Sequence, residues 1–191
     1  MPLSFIFLLV LLVISFDYSG KKFLHKYVGT FFWSFVLLVF VHDSLTIRSQ
    51  YLAWKGDNIT QFFLPEYQPG YFTSYSFYRV LAPHLIAFLA ALILIYVMIR
   101  LNGRKKGMLF EKEEPYLAGL SLFMTNYPGL LIFLALLMLI YLVWHFSSYF
   151  KLKDVNERLP LYTLWPSVAL LTVVLSSSWL SQTSWWKLLE I

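Results

Sequence analysis

The sequence predicts an all-α fold: a polytopic transmembrane helix bundle of about six spans, formed by a single transmembrane domain over residues 1–191. Three observations lead there. First, 59% of the residues are hydrophobic, 20% aromatic and only 13% charged. With a mean hydropathy of +0.67, the chain carries more apolar surface than a soluble core can hide. Second, the stretches 3–16, 28–41, 80–99, 129–144 and 161–180 contain no Asp, Glu, Lys or Arg, which marks them as membrane segments. Third, the basic residues gather in short loops between these stretches, where they orient a chain in a bilayer.

The first expected span, Pro2 to Tyr18, has the length of a secretory signal. However, Met1-Pro2 supplies no positive leader and the run ends in Asp17-Tyr18 instead of a small-residue cleavage site, so it reads as a retained span. Tyr27 to His42 and Val80 to Leu101 are the next two. The connection at 43–79 carries Tyr51, Trp54, Tyr67, Tyr71, Tyr75 and Tyr78. Such aromatics suit an interfacial belt, so this outer connection is expected to lie partly on the membrane surface.

Residues 116–127, YLAGLSLFMTNY, form a short apolar run closed by Asn126-Tyr127-Pro128-Gly129, a strong break signal. Gly129 to Phe146 and Leu161 to Leu180 follow. Charge decides whether the short run is a span of its own. If it is, the loops at 17–27, 100–115 and 148–160 share one side and hold 11 of the 15 basic residues: Lys21, Lys22, Lys26, Arg100, Arg104, Lys105, Lys106, Lys112, Lys151, Lys153 and Arg158. Merging it with the next helix moves the third loop to the far side, against the positive-inside tendency. Six spans in the cell membrane, basic loops cytoplasmic and both termini outside, are therefore expected.

The chain has no cysteine, which excludes disulfides, thiolate metal sites and cysteine nucleophiles. The formal charge of +5 sits beside apolar segments, so the expected partner is the lipid bilayer and not nucleic acid. No cofactor or metal is implied.

Ionisable groups at the ends of membrane helices are the functional candidates, because a charge near hydrocarbon costs free energy that packing does not require. Asp17 ends the first span ahead of Lys21, Lys22, His25 and Lys26. Glu111, Glu113 and Glu114 precede Pro115 and the short span, a position that also suits a helix start, with carboxylates at the positive end of the dipole. The six-span topology puts Asp17 and the glutamates on one face. Two carboxylates brought together there share a proton and can activate water against a peptide carbonyl. His42-Asp43 and His84 lie at outer helix ends and could form a metal or proton site, although one His and one Asp fall short of a ligand set. His145 reads as an interfacial neighbour of Trp144, Arg79 as a headgroup anchor, and Asn58-Ile-Thr60 matches a glycosylation sequon.

The order of features resembles the membrane domain of the type IV prepilin peptidases, an intramembrane aspartic protease family. SFDYSGKKFLHKYV at 15–28 is similar to the family's helix ending in Asp with a basic turn. GMLFEKEEPYLAGLSLFMTNYPGLLIFLALL at 107–137 is similar to its acidic loop, short helix, Pro-Gly break and long helix, and KLKDVNERLPLYTLWPSVALL at 151–171 to its late segment. The resemblance implies Asp17 and Glu114 as the acid pair, with Glu113 or Glu111 as substitutes. In place of the family's Gly-x-Gly-Asp this chain has Phe110-Glu-Lys-Glu-Glu114, without the glycines that let the loop bend. The expected function is accordingly that of a catalytically inactive relative in pilus, secretion or envelope assembly, with an assembly-protein partner. An active peptidase cleaving prepilin-like leaders is the alternative, and a small transporter or channel subunit comes third.

Overall fold

The computed structural model describes residues 18–104, 110–150, 161–178, 180–184 and 186, and every regular element among them is helical. Helix α1 spans Tyr18–Gly56. It runs past His42, where the membrane segment was expected to end, because the sequence to Lys55 holds no breaker and a helix satisfies its own backbone whatever solvent surrounds it. Gly56-Asp57 stops it. Thr60 then donates its backbone N–H (3.1 Å) and its hydroxyl (2.8 Å) to Asp57 Oδ2, opening a short 3₁₀ turn at Thr60–Phe63. These bonds hold the Asp57 carboxyl below its ordinary pKa, the Thr60 hydroxyl contributing most.

The chain turns back at Gly70, whose φ of 92° is open to glycine at little cost. Helix α2 (Tyr71–Ser76), a π-helical turn (Phe77–Leu81) and α3 (Ala82–Arg104) follow. They form one continuous run, Tyr71–Arg104, of 34 residues. This run and Tyr27–Gly56 are each long and apolar enough to cross a membrane. They lie antiparallel: Phe88 of α3 meets Phe32 and Phe40 of α1 at centroid distances of 6.5 and 5.9 Å. Farther along, Trp54 packs on Phe72 (5.2 Å) and Tyr75 (5.1 Å), and Tyr51 on Phe72 (5.7 Å). The expected surface connection is thus largely an aromatic-clasped helical hairpin.

Helix α4 (Glu114–Thr125) is the centre of the bundle: every residue in it except Tyr116 is buried. A helix apolar and buried all round has neighbours on every side. It runs antiparallel to α3 and parallel to α1, where Gly29 faces Tyr116 and Phe35 meets Phe123 at 6.1 Å. Small residues set the α3–α4 spacing. Ala87, Ala91 and Ala118 are fully buried, and a Cβ on Gly119 would stand 2.5 Å from Ile95 Cδ1, so the two backbones approach closely.

A break at Asn126 (φ 55°) separates α4 from α5 (Gly129–Phe150). Helix α6 (Leu161–Ser178) presents Trp165, Val168, Ala169, Thr172 and Val173 to the core, the i, i+3, i+4, i+7, i+8 stripe of a helix with one buried face. Phe133 of α5 meets Trp165 at 6.3 Å, and Gly129 lies beside Thr172, so α5 and α6 are antiparallel. Large apolar side chains also face outward, among them Leu37, Leu38, Leu89, Ile93, Met138, Leu139 and Leu142, a surface that asks for lipid or a partner.

Candidate functional site

Two polar clusters stand at opposite ends of α4. At its start, the loop after α3 is fastened by Asn102, which donates from Nδ2 to Phe110 O (2.9 Å) and accepts the Phe110 N–H at Oδ1 (3.2 Å). Glu111 is exposed, while Glu113 and Glu114 are buried. The Glu114 carboxylate turns back on its own helix start: its Oε2 accepts the Glu111 N–H at 3.2 Å, and the Glu114 N–H donates to Glu111 O. The Glu113 carbonyl receives the N–H groups of Tyr116 and Leu117, and Pro115 occupies the first turn, where a missing N–H costs nothing. Carboxylates here meet the positive end of the α4 dipole.

The three predicted glutamates therefore fall within one turn. Asp17 lies outside the described residues. The part of α1 level with the start of α4 is Val28-Gly29, through the Gly29–Tyr116 contact. Tyr18, the first residue of α1, precedes Gly29 by eleven residues, about 16 Å along a helix axis.

At the other end of α4, three segments converge on His84. Asp43 of α1 is 2% exposed, and its Oδ2 lies 2.9 Å from His84 Nδ1. The ring nitrogen is aimed back at Val80 O in the preceding π-helical turn, 3.1 Å away, with the carboxylate oxygen beside that bond. Asn126 Nδ2 lies 3.3 Å from His84 Nε2, and Asn126 Oδ1 accepts the Tyr127 N–H at 2.8 Å. His42, largely exposed, sits 3.8 Å from the other Asp43 oxygen.

Val80 O can only accept, so Nδ1 carries a proton. A backbone N–H can only donate, so the amide oxygen of Asn126 faces Tyr127 and its NH₂ faces Nε2, which must then be a lone pair. These orientations match the Nδ1–H tautomer of His84. Sequence reasoning weighed Asp43 and His84 together but read Asn126 only as a turn residue. The Asn-Tyr-Pro-Gly break was the one signal that an amide would be fixed there.

Among the described residues no group of three or more His, Cys, Asp or Glu side chains could hold a metal ion. No protein-family model matches the chain, and no curated protein and no solved structure matches it.

Proposed function

We propose that this chain is a multi-pass membrane protein of six spans, basic loops cytoplasmic, that serves as a non-catalytic subunit of a pilus, secretion or envelope assembly on a frame resembling the prepilin peptidases. The observation that carries the reading is the Glu114 carboxylate: its Oε2 accepts the Glu111 N–H at 3.2 Å, a local bond that fastens the loop to the start of a buried helix. Support for the bilayer comes from the two runs long enough to cross it and the apolar exterior. Helix α4 has 12 residues, roughly 18 Å against a hydrocarbon core of about 30 Å. A helix that short needs the surrounding helices to bury its ends.

A second reading, an active aspartic-type peptidase with Asp17 and Glu114 as the acid pair, draws on the burial of Glu114 (7% exposed) and of its substitute Glu113 (3% exposed), since keeping a carboxyl away from water costs free energy that packing alone does not require. Co-expression with a prepilin-like substrate separates the two. The assembly reading expects no cleavage by the natural chain and co-purification of a partner that survives Glu114→Gln, because Gln keeps an accepting oxygen. Cleavage that disappears in both Asp17→Asn and Glu114→Gln would overturn it in favour of the peptidase.

A further inference from the structure

The cluster around His84 has no part in either reading, yet it sets a carboxylate against an imidazole where α1, α3 and the end of α4 meet. Asp43 is almost fully buried between apolar helices, and a carboxylate in such a place is retained at a cost unless something depends on it. Its negative charge, 2.9 Å from the imidazole, favours a second proton on the ring. Asn126 opposes that proton. Its NH₂, 3.3 Å from Nε2, occupies the only vacant position on the ring and would face an N–H if the ring were charged.

The opposition cannot be relieved by turning the amide over in place, because Asn126 Oδ1 is held by the Tyr127 N–H at 2.8 Å. Relief requires the break between α4 and α5 to rearrange. The remaining titratable or charged neighbours are few. On α1 there is His42, 3.8 Å from Asp43; on the helical run containing His84 there is Arg79, which is exposed; at the break there is Tyr127; and α6 contributes no titratable side chain between Leu164 and Ser178.

We propose that Asp43, His84 and Asn126 form a proton-binding site inside the bundle, in which Asp43 draws a proton to His84 Nε2 and Asn126 withholds it, so that uptake is coupled to movement of the α4–α5 break. The ligand is the proton itself. No bond other than N–H forms, and the ring charge gained is balanced by the Asp43 carboxylate already present. Nothing in this inference depends on the assembly role.

The test is ¹⁵N NMR of the full chain in lipid nanodiscs with labelled histidine. The chain has four histidines, and the His84 signal is identified by its loss in His84→Gln. At neutral pH the natural chain should show His84 protonated at Nδ1 alone, and acidification should move the Asn126 amide and Tyr127 N–H signals in step with protonation of Nε2. Asn126→Gly keeps the positive φ and removes the donor, so it should raise the proton affinity of His84 by about tenfold or more, the size of one lost opposing hydrogen bond. Asp43→Asn should lower that affinity by at least as much and serves as the deciding variant if Asn126→Gly does not fold. A His84 already charged at neutral pH, or an affinity unmoved in the deciding variant, overturns the proposal.

Discussion

At the scale of single residues, the glycine with least room for a side chain among the described residues is Gly119, against Ile95. A methyl group on Gly119 would meet Ile95 Cδ1 at 2.5 Å and Cγ1 at 2.6 Å, with Ala91 O at 3.5 Å behind. Gly119→Ala should cost about 1–3 kcal/mol of stability, the usual range for overpacking. Ile95→Val removes the Cδ1 methyl and should return part of that loss in the double variant. Thermal unfolding in detergent reads both, and simple additivity of the two changes would show that the contact is not the cause. Ser121 gives the opposite expectation. Its hydroxyl is fully buried without a hydrogen-bond partner among the described residues, so Ser121→Ala should be neutral or mildly stabilising. A loss beyond about 1 kcal/mol would reveal a partner for the hydroxyl.

At the same scale the sequence was uneven. The glutamates were legible as a helix start because Pro115 and three carboxylates in one turn carry a local signature. The His84–Asn126 contact was not, because the two residues are 42 positions apart in sequence and only tertiary packing joins them. Asp17 reads in sequence as a helix-end carboxylate. Among the described residues, Val28-Gly29 lies level with the start of α4, which nothing local in the sequence singles out.

Among the elements, the hairpin beyond Asp43 shows why membrane segments and helices have different ends. Hydropathy locates where lipid stops, whereas a helix stops at a backbone signal, here Gly56-Asp57 and, for the returning limb, Pro69-Gly70. Both signals were present in the sequence, and of the aromatics read as an interfacial belt, Tyr51, Trp54, Tyr71 and Tyr75 also make ring contacts within the hairpin. The loop between them is stabilised by carboxylates. Tyr51 donates its hydroxyl to Glu66, and that bond holds the Glu66 carboxyl below its ordinary pKa. Asp57 is lowered likewise by Thr60.

A folded-state pKa below the unfolded one means stability that is present above the unfolded pKa and lost as the pH falls through the folded one. The hydrogen-exchange protection of residues 57–70, taken relative to the intrinsic rate at each pH, should therefore be high at neutral pH and fall as the pH drops below about 4. Glu66→Gln with Asp57→Asn should flatten that dependence. Protection that is unchanged or rises on acidification would contradict the assignment of these bonds. Gly70→Ala should loosen the same loop by about 1–2 kcal/mol, because a residue with a Cβ is strained at a φ of 92°.

For the whole molecule, the helical class and the separateness of the short helix were legible, because charge-free runs and the Asn-Tyr-Pro-Gly break are strong signals. That α4 lies at the centre was not, since its hydropathy is that of a peripheral span and only its small residues, Ala118 and Gly119, hint at close neighbours on more than one side. The arrangement of α1, α3 and α4 places the Glu113–Glu114 end and the Asn126 end of α4 at opposite ends of the bundle. The proposed topology then follows only if α4 counts as a crossing.

Because the chain has no cysteine, single introduced cysteines report sidedness without a background. Arg104→Cys, Lys153→Cys and Asn58→Cys, treated in intact cells with a membrane-impermeant thiol reagent, bracket α4. Labelling from outside of Asn58→Cys alone, with Arg104→Cys and Lys153→Cys reacting only after permeabilisation, is the predicted result. Labelling of Lys153→Cys from the same side as Asn58→Cys would contradict it, because α4 and α5 would then make one crossing between them.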